Sequence, residues 1–277
     1  MACTYCVTSL SDHRRIPDEL STDQMLRLVR MLKEHAGIEK VRLTGGEPLL
    51  YPNLIPVISG IREMGIGNIG MTTNGQLLAK KVKALVEAGL QNVNLSLDSL
   101  EPEKFKRLGR VGKLHKTLEG IEECMKIGLR VKVNMVVVKG ENEDEIVKML
   151  EYGVRLGVEI RYLELMAMGP LYKKDDFKLV TMHEILERIS TRYTVQPVSA
   201  EVDSTSLRYW VPGGYFGIIP NNSAPFCSTC SRLRLTSNGQ IIGCLSNPAP
   251  LSIRHLLDHP DPQEPLPKLV QKSISYK

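Results

Sequence analysis

The chain has 277 residues, 42% apolar and 24% charged, with 36 basic and 31 acidic side chains and a formal net charge of +5. It is long enough to bury a sizeable core, and no stretch approaches the roughly 18 consecutive apolar residues of a membrane span, which excludes an integral membrane protein. The charges are interspersed, leaving no polybasic arm for nucleic acid or lipid headgroups, and six cysteines without a signal peptide point to reduced thiols or metal ligands in an intracellular compartment.

Cys3-Thr-Tyr-Cys6 opens the chain, a CxxC pair that taken alone fits redox work, zinc or neither. Ser21 with Gln24 three positions on has capping-box spacing and predicts a helix whose apolar face is Leu26, Leu28, Val29 and Leu32. From about Val41 to Leu165, β-branched runs alternate with amphipathic stretches, the pattern of βα units on a parallel sheet. Strands are predicted at Val41 to Thr44, Ile69 to Thr73, Val93 to Leu97, Val131 to Val138 and Glu159 to Leu165. The helices between them are Leu54 to Met64, Lys80 to Ala88, Leu118 to Ile127 and Glu143 to Leu156, the first three closed by Gly65, Gly89 and Gly128. The fold class expected is α/β, a partial (β/α)6 barrel of the TIM type over residues 1–169, with chemistry at the C-terminal ends of its strands. After Gly169 come a Lys-Lys-Asp-Asp run at 173–176, a helix near Met182 to Ser190 and a β-rich segment, read as a C-terminal extension over 170–277 that packs on the barrel. Asp258 to Lys277 is too short and Pro-rich to be a domain.

The sharpest chemical signal is Cys227-Ser-Thr-Cys230 followed after thirteen residues by Cys244, with a hairpin at Ser237-Asn238-Gly239-Gln240 returning the third thiol. Three thiolates leave one position open, which suits an iron-sulfur cluster with one iron free for substrate. A zinc site would need His255 or His259 as a fourth ligand. Small polar residues end the first three strands in Leu43-Thr44-Gly45-Gly46-Glu47-Pro48, Thr72-Thr73-Asn74-Gly75 and Asn94-Leu95-Ser96-Leu97-Asp98-Ser99. Paired glycines bring backbone close to a ligand there, and Glu47 can bind an amine. Lys132 and Asn134 share one face of their strand while Val131, Val133 and Met135 take the other, so the polar face is expected to line the barrel interior. Cys124 reads as a buried small hydrophobe, the six histidines show no ligand spacing, and Trp210 with Tyr209 and Tyr215 reads as extension core.

These motifs resemble the radical S-adenosylmethionine superfamily and, within it, the GTP 3′,8-cyclase family of molybdenum-cofactor biosynthesis, over essentially Ala2 to Lys272. Cys3 and Cys6 look like the second and third cysteines of the C-x3-C-x2-C loop, Gly45 to Pro48 like the GGEP motif. Cys227, Cys230 and Cys244 match the family's C-x2-C-x13-C triad, set between Pro225-Phe226 and Ser231-Arg232-Leu233-Arg234-Leu235-Thr236. The resemblance implies two 4Fe-4S clusters and S-adenosylmethionine, with Cys3, Cys6, Cys227, Cys230 and Cys244 as iron ligands. It implies Gly46, Glu47, Thr72, Ser96 and Met166 in the S-adenosylmethionine pocket. Lys40, Arg42, Lys132, Arg161, Arg232 and Arg234 then bind substrate, the last two also serving the radical chemistry. The implied substrate is GTP, its ribose carbon 3′ joined to carbon 8 of the base after hydrogen abstraction by a 5′-deoxyadenosyl radical. An electron donor such as flavodoxin or ferredoxin, a homodimer, and a cytoplasmic location (mitochondrial matrix in a eukaryote) complete the implied picture, without nucleic acid or membrane.

Against the family pattern, the first cysteine of the N-terminal motif would lie two residues before Met1, and the preceding strand and an Arg are missing, as is a C-terminal Gly-Gly tail. The expectation is a truncated or mis-started chain whose first strand exposes a polar edge and whose activity is in question. The rivals are a radical enzyme acting on another nucleotide, a non-catalytic nucleotide-binding iron-sulfur protein that lacks the first cluster, and a zinc-stabilised domain.

Overall fold

A computed structural model describes residues 3–6, 18–166, 178–199, 204–227, 230–259, 261 and 263–276. The 173–176 charge run lies outside the described residues.

Helix α1 (Thr22–Ala36) begins as its sequence predicts: the Ser21 hydroxyl accepts from Gln24 N–H at 3.2 Å and the Gln24 side chain from Ser21 N–H at 2.9 Å. Gly37 in the left-handed region closes it. Then follow β1 (Lys40–Leu43), α2 (Leu54–Glu63), β2 (Asn68–Thr73), α3 (Leu78–Ala88), β3 (Asn92–Ser96), α4 (Pro102–Gly109), α5 (Leu114–Lys126), β4 (Arg130–Val137), α6 (Ile146–Leu156) and β5 (Glu159–Glu164). All five predicted strands are present and pair in parallel in chain order. Helix α4 was not expected, and the helix predicted from Glu143 starts as a 3₁₀ turn over Glu143–Glu145 before α6.

Alternation on these strands sets the architecture. Val93, Leu95, Val133, Met135, Ile160 and Tyr162 are buried against the helices and form one continuous core with Leu78, Ile121, Cys124 and Met149. Their neighbours Asn92, Asn94, Ser96, Lys132, Asn134, Glu159 and Arg161 are half-buried on the other face. The inner face is therefore polar, as the Lys132 and Asn134 alternation predicts, whereas an ordinary barrel of this type fills it with branched apolar side chains.

The chain continues through α7 (Met182–Ser190), β6 (Gln196–Val198), β7 (Leu207–Val211), β8 (Gly214–Ile219), β9 (Arg234–Leu235), β10 (Gln240–Ile242), β11 (Leu251–Ser252) and α8 (Pro265–Ile274). Strand β8 pairs in parallel with β5, and β7 and β6 follow antiparallel, so the main sheet runs β1-β2-β3-β4-β5-β8-β7-β6. Among the described residues β1 and β6 end this sheet, and β1, as expected, presents an open edge with the alternate residues Lys40 and Arg42 exposed. The expected aromatic core of the extension is only partly so: Tyr209 stacks on buried Phe216 at 5.2 Å, but Tyr215 is 42% exposed beneath the Arg208 guanidinium. A bulky ring with a polar tip tolerates this at a hairpin end.

Strands β9 to β11 form a separate antiparallel sheet that joins α8 and α1 in a second core of Leu28, Leu32, Ile241, Ile253, Leu256 and Leu266. Gly239, at a φ of +82°, makes the predicted hairpin before β10. At Gly243 the α8 end comes so close that a Cβ would overlap the Ser273 carbonyl oxygen, a backbone atom that cannot swing away. Gly243→Ala is therefore expected to cost about 1–3 kcal/mol, read as a lower denaturant midpoint with an unchanged slope. An unchanged midpoint would mean that α8 is not docked there.

Candidate functional site

The CxxC turn at the N-terminus is closed by Cys6 N–H donating to the Cys3 carbonyl at 3.1 Å and anchored by Thr4 N–H to the Leu108 carbonyl at the end of α4, 3.0 Å. Tyr5 reaches into the barrel, its hydroxyl 2.6 Å from Asp98 Oδ2, while Asp98 Oδ1 accepts from Val136 N–H at 2.9 Å. Burial lifts the Asp98 carboxyl to about 6 despite these two donors. Its folded-state pKa lies above the ordinary 3.8, so its contribution favours folding below about pH 4 and is lost as pH rises through about 6. Asp98→Asn is expected to remove up to about 2 kcal/mol of the decline in stability between pH 4.5 and 7.5, measured by urea unfolding at those two values. An identical decline in the variant would assign it to other groups.

The strand ends form the rest of this mouth. After β1, Glu47 folds over the end of β2: Oε1 accepts from Thr73 Oγ1 at 2.5 Å and Leu49 N–H at 3.1 Å, and Oε2 from Asn74 N–H at 2.9 Å. It ties the Gly45-Gly46 loop to its neighbour, a part that its expected contact with an amine did not include. Gly46 is exposed, while Thr72, Ser96 and Met166 are half-buried at or near the C-terminal ends of β2, β3 and β5. Asn134, paired in register with Ser96, has a buried Oδ1 with no hydrogen-bond partner. An orphaned acceptor beside Ser96 suits a polar ligand.

Below these strand ends the arginines gather on the inner face, Arg161 and Arg234 half-buried and Arg42 and Arg232 exposed. Arg42 donates to Asn92 Oδ1 at 2.7 Å and to the Met71 carbonyl at 3.3 Å; Arg161 Nη2 donates to Asn94 Oδ1 at 2.6 Å, and its buried Nε has no partner. Arg232 donates to Thr205 Oγ1 at 2.6 Å with its guanidinium 5.4 Å from the Phe226 ring centre. Desolvation and the charges of Arg161 and Arg232 hold Arg42 down at about 10. Desolvation lowers Arg161 too, opposed by Glu159 and aided by Arg232, and lowers Arg234, aided by Arg232. Among the described residues none of the four forms an ion pair with a carboxylate. Gly70 and Gly217 make room: a Cβ on Gly70 would lie 2.8 Å from Arg42 Nη2, and one on Gly217 3.1 Å from Arg161 Cγ.

Not every expected cation joins them. Lys132 pairs with Glu159 at 3.1 Å, a carboxylate it shares with Arg208, so one sheet residue neutralises it. Lys40 is exposed at the start of β1, beside a groove formed with Lys33, Gly65 and Asn68 at the base of the barrel. Arg234 lies on β9 and Arg232 two residues before it. Asn92 and Asn94, which orient Arg42 and Arg161, were not singled out for that part; the Asn-x-Asn-x-Ser alternation of β3 is the signal that marks them.

In the second thiol set Cys230 N–H donates to the Cys227 carbonyl at 3.3 Å. Cys230 acts electrostatically on both Arg232 and Arg234, and Cys244 on Arg234, which puts these thiols at the arginine end of the lumen. Cys227 is exposed. Among the described residues no three His, Cys, Asp or Glu side chains converge closely enough to hold a metal ion. At the N-terminus Cys3 and Cys6 offer two of the three thiolates that a cubane with one open iron requires, so the described donor set there is incomplete. The second set supplies three thiols, the donor type an iron-sulfur cluster takes, with Cys230 and Cys244 near arginines, but among the described residues the structure does not bring the three together into one metal-binding group.

Comparison with known proteins places this arrangement. The family model of the radical SAM superfamily matches residues 1–153 and that of Molybdenum Cofactor Synthesis C residues 158–277. The fold agrees with solved structures: Streptococcus suis SuiB bound to S-adenosylmethionine aligns with a TM-score of 0.64 at 16% identity over 95% of this chain, which spans 63% of that one. A structure of anSMEcpe with bound AdoMet gives 0.54 at 19% identity, over 68% of this chain and 53% of that one. Barrel, CxxC turn and GGEP loop thus define a radical S-adenosylmethionine protein, a class that implies this cofactor and one 4Fe-4S cluster.

Curated GTP 3′,8-cyclases are similar along nearly the whole chain: that of Staphylococcus haemolyticus is 40% identical over 88% of this chain and 74% of its own length. Those of Listeria welshimeri and Aquifex aeolicus are 36% and 35% identical over 100% and 93% of this chain, and 84% and 82% of their own lengths. The chain belongs to the GTP 3′,8-cyclase family.

Proposed function

We propose that the chain is a radical S-adenosylmethionine GTP 3′,8-cyclase, a lyase that converts GTP to (8S)-3′,8-cyclo-7,8-dihydroguanosine 5′-triphosphate in molybdopterin biosynthesis. The observation that carries this reading is the set of arginines Arg42, Arg161 and Arg232 around a polar lumen, which among the described residues form no ion pair with a carboxylate; desolvation lowers all three, and Arg232 lowers Arg42 and Arg161 further. Assembling like charges without a counter-ion costs stability, and a triphosphate is the ligand that offsets it by charge-assisted hydrogen bonds.

In this reading Arg42 and Arg161, held by Asn92 and Asn94, grip the phosphate chain. Gly46, Glu47, Thr72, Ser96 and Met166 line the S-adenosylmethionine pocket above them. When bound, that cofactor with its reducing cluster supplies the one-electron chemistry that removes a hydrogen atom from the ribose. Cys227, Cys230 and Cys244 would hold a second 4Fe-4S cluster that supplies an open iron for the base, and Arg232 and Arg234, near Cys230, would contact the substrate. Functionally the chain divides into a barrel over 1–169 and a cluster-bearing extension over 170–277. A flavodoxin or ferredoxin as reductant, a homodimer and a cytoplasmic location belong to the same proposal; no helix among the described residues is long and apolar enough to cross a membrane.

The test is product analysis after anaerobic reconstitution with iron and sulfide, with GTP, S-adenosylmethionine and a reductant. A cyclised triphosphate formed one-for-one with 5′-deoxyadenosine is the expected result; cyclisation of another triphosphate in preference to GTP would reassign the substrate.

A further inference from the structure

Glu164, at the C-terminal end of β5, is a buried carboxylate bonded to two segments far along the chain. Its Oε1 accepts from Met182 N–H, the first residue of α7, at 2.7 Å and from the Ser223 hydroxyl; its Oε2 accepts from Asn222 N–H at 2.7 Å and Ser223 N–H at 2.9 Å. The backbone on either side is stitched to the same loop, Asn221 Nδ2 donating to the Glu164 carbonyl at 2.9 Å and Asn222 Nδ2 to the Leu165 carbonyl at 2.6 Å. Among the described residues no cation pairs with this carboxylate, and the donors that compensate its burial come from Met182, Asn222 and Ser223.

The two ends of this knot matter. Loop 221–223 leads directly into Pro225-Phe226-Cys227, and Met166 stands two residues beyond Glu164. We propose that Glu164 is a positioning residue that fixes the approach to Cys227 against the strand end that presents Met166, and so sets the second thiol group's place relative to the cofactor pocket. A neutral side chain would hold this loop less firmly, because hydrogen bonds to a charged acceptor are roughly twice as strong as neutral ones. Outer contacts of this kind orient metal ligands, and losing one weakens a site by about 10–100-fold. The metal part of this inference rests on the second-cluster reading, while the loop-anchoring part does not.

Two measurements on the full chain test it. Glu164→Gln keeps the size but turns an amide donor toward N–H groups, opening one side of the clamp. In the metal-free protein, hydrogen exchange at Asn222 or Ser223 is expected to quicken about tenfold or more, with Tm within a few degrees of the parent. In the reconstituted protein, the iron that a Cys227→Ala, Cys230→Ala, Cys244→Ala triple variant lacks should pass to a chelator about tenfold faster in Glu164→Gln. Unchanged exchange, or unchanged iron loss alongside a lower Tm, overturns the proposal and leaves Glu164 a structural residue. If parent and triple variant hold equal iron, the second-cluster reading fails, and the exchange result alone decides whether Glu164 anchors the loop. Should Glu164→Gln fail to fold, Ser223→Ala removes one donor and is expected to shift both readouts in the same direction by a smaller factor; no shift overturns the proposal.

Discussion

Arg161→Met is expected to weaken GTP binding by about 100-fold or more while leaving the fold as stable as before or slightly more so. The guanidinium has one partner, Asn94, and a buried Nε with none, so most of its hydrogen-bonding capacity is unused in the protein alone. Each charge-assisted bond to a phosphate oxygen is worth about 1.5–3 kcal/mol, and a forked pair therefore accounts for about two orders of magnitude or more in Kd. Stability moves the other way, because Met buries no charge and the repulsion that adds to desolvation in lowering Arg42 is relieved. A titration calorimeter and a thermal scan separate these effects. Loss of affinity together with a large fall in Tm would make Arg161 a structural arginine.

That pairing of gain and cost also marks where the sequence could be read and where it could not. The five barrel strands, the Ser21 capping box and the Gly65, Gly89 and Gly128 helix ends were legible because each is written in a run of adjacent residues. The polar lumen followed from strand alternation alone at Lys132 and Asn134. Two helices escaped notice for local reasons: α4 is short and starts at Pro102, and α8 carries Pro265 and Pro267 in its first turn, where proline is tolerated but reads as a loop. The continuation of the barrel sheet by β8 was hidden for a different reason, since the β8–β5 pairing joins residues more than fifty positions apart and a strand does not name its partner.

The site divides in the same manner. Residue types and spacing pointed to the cysteines, to Gly46 and Glu47, and to Arg232 and Arg234. They could not reveal that Lys132 is engaged by Glu159, that Glu47 is bound by Thr73 and Asn74, or that Glu164 gathers a loop from near residue 222. Each of these is a contact between side chain and distant backbone or side chain, and buried polar groups find such partners only once the chain is folded.

Arg232→Ala carries the other large expected effect. Its side chain spans from Thr205 to the Phe226 ring beside Cys230, yet it is not a metal ligand and keeps solvent access. Iron content after reconstitution is therefore expected to stay at the parent value while cyclisation falls on the order of 10²–10³-fold, the usual loss when one preorganised donor at a reacting centre is removed. Arg232→Lys keeps the charge but not the fork, and should recover binding better than turnover. Loss of iron in Arg232→Ala would instead assign the residue to holding the thiol loop.

The most direct test of the central claim, that the arginine-lined lumen is a triphosphate site, is an equilibrium binding series on the reconstituted chain with GTP, guanosine and inorganic tripolyphosphate at two salt concentrations. The account predicts that GTP binds much more tightly than guanosine, that tripolyphosphate competes with it, and that the advantage shrinks as added salt screens the partly solvated cations. Equal affinity for GTP and guanosine, indifferent to salt and to tripolyphosphate, would contradict it.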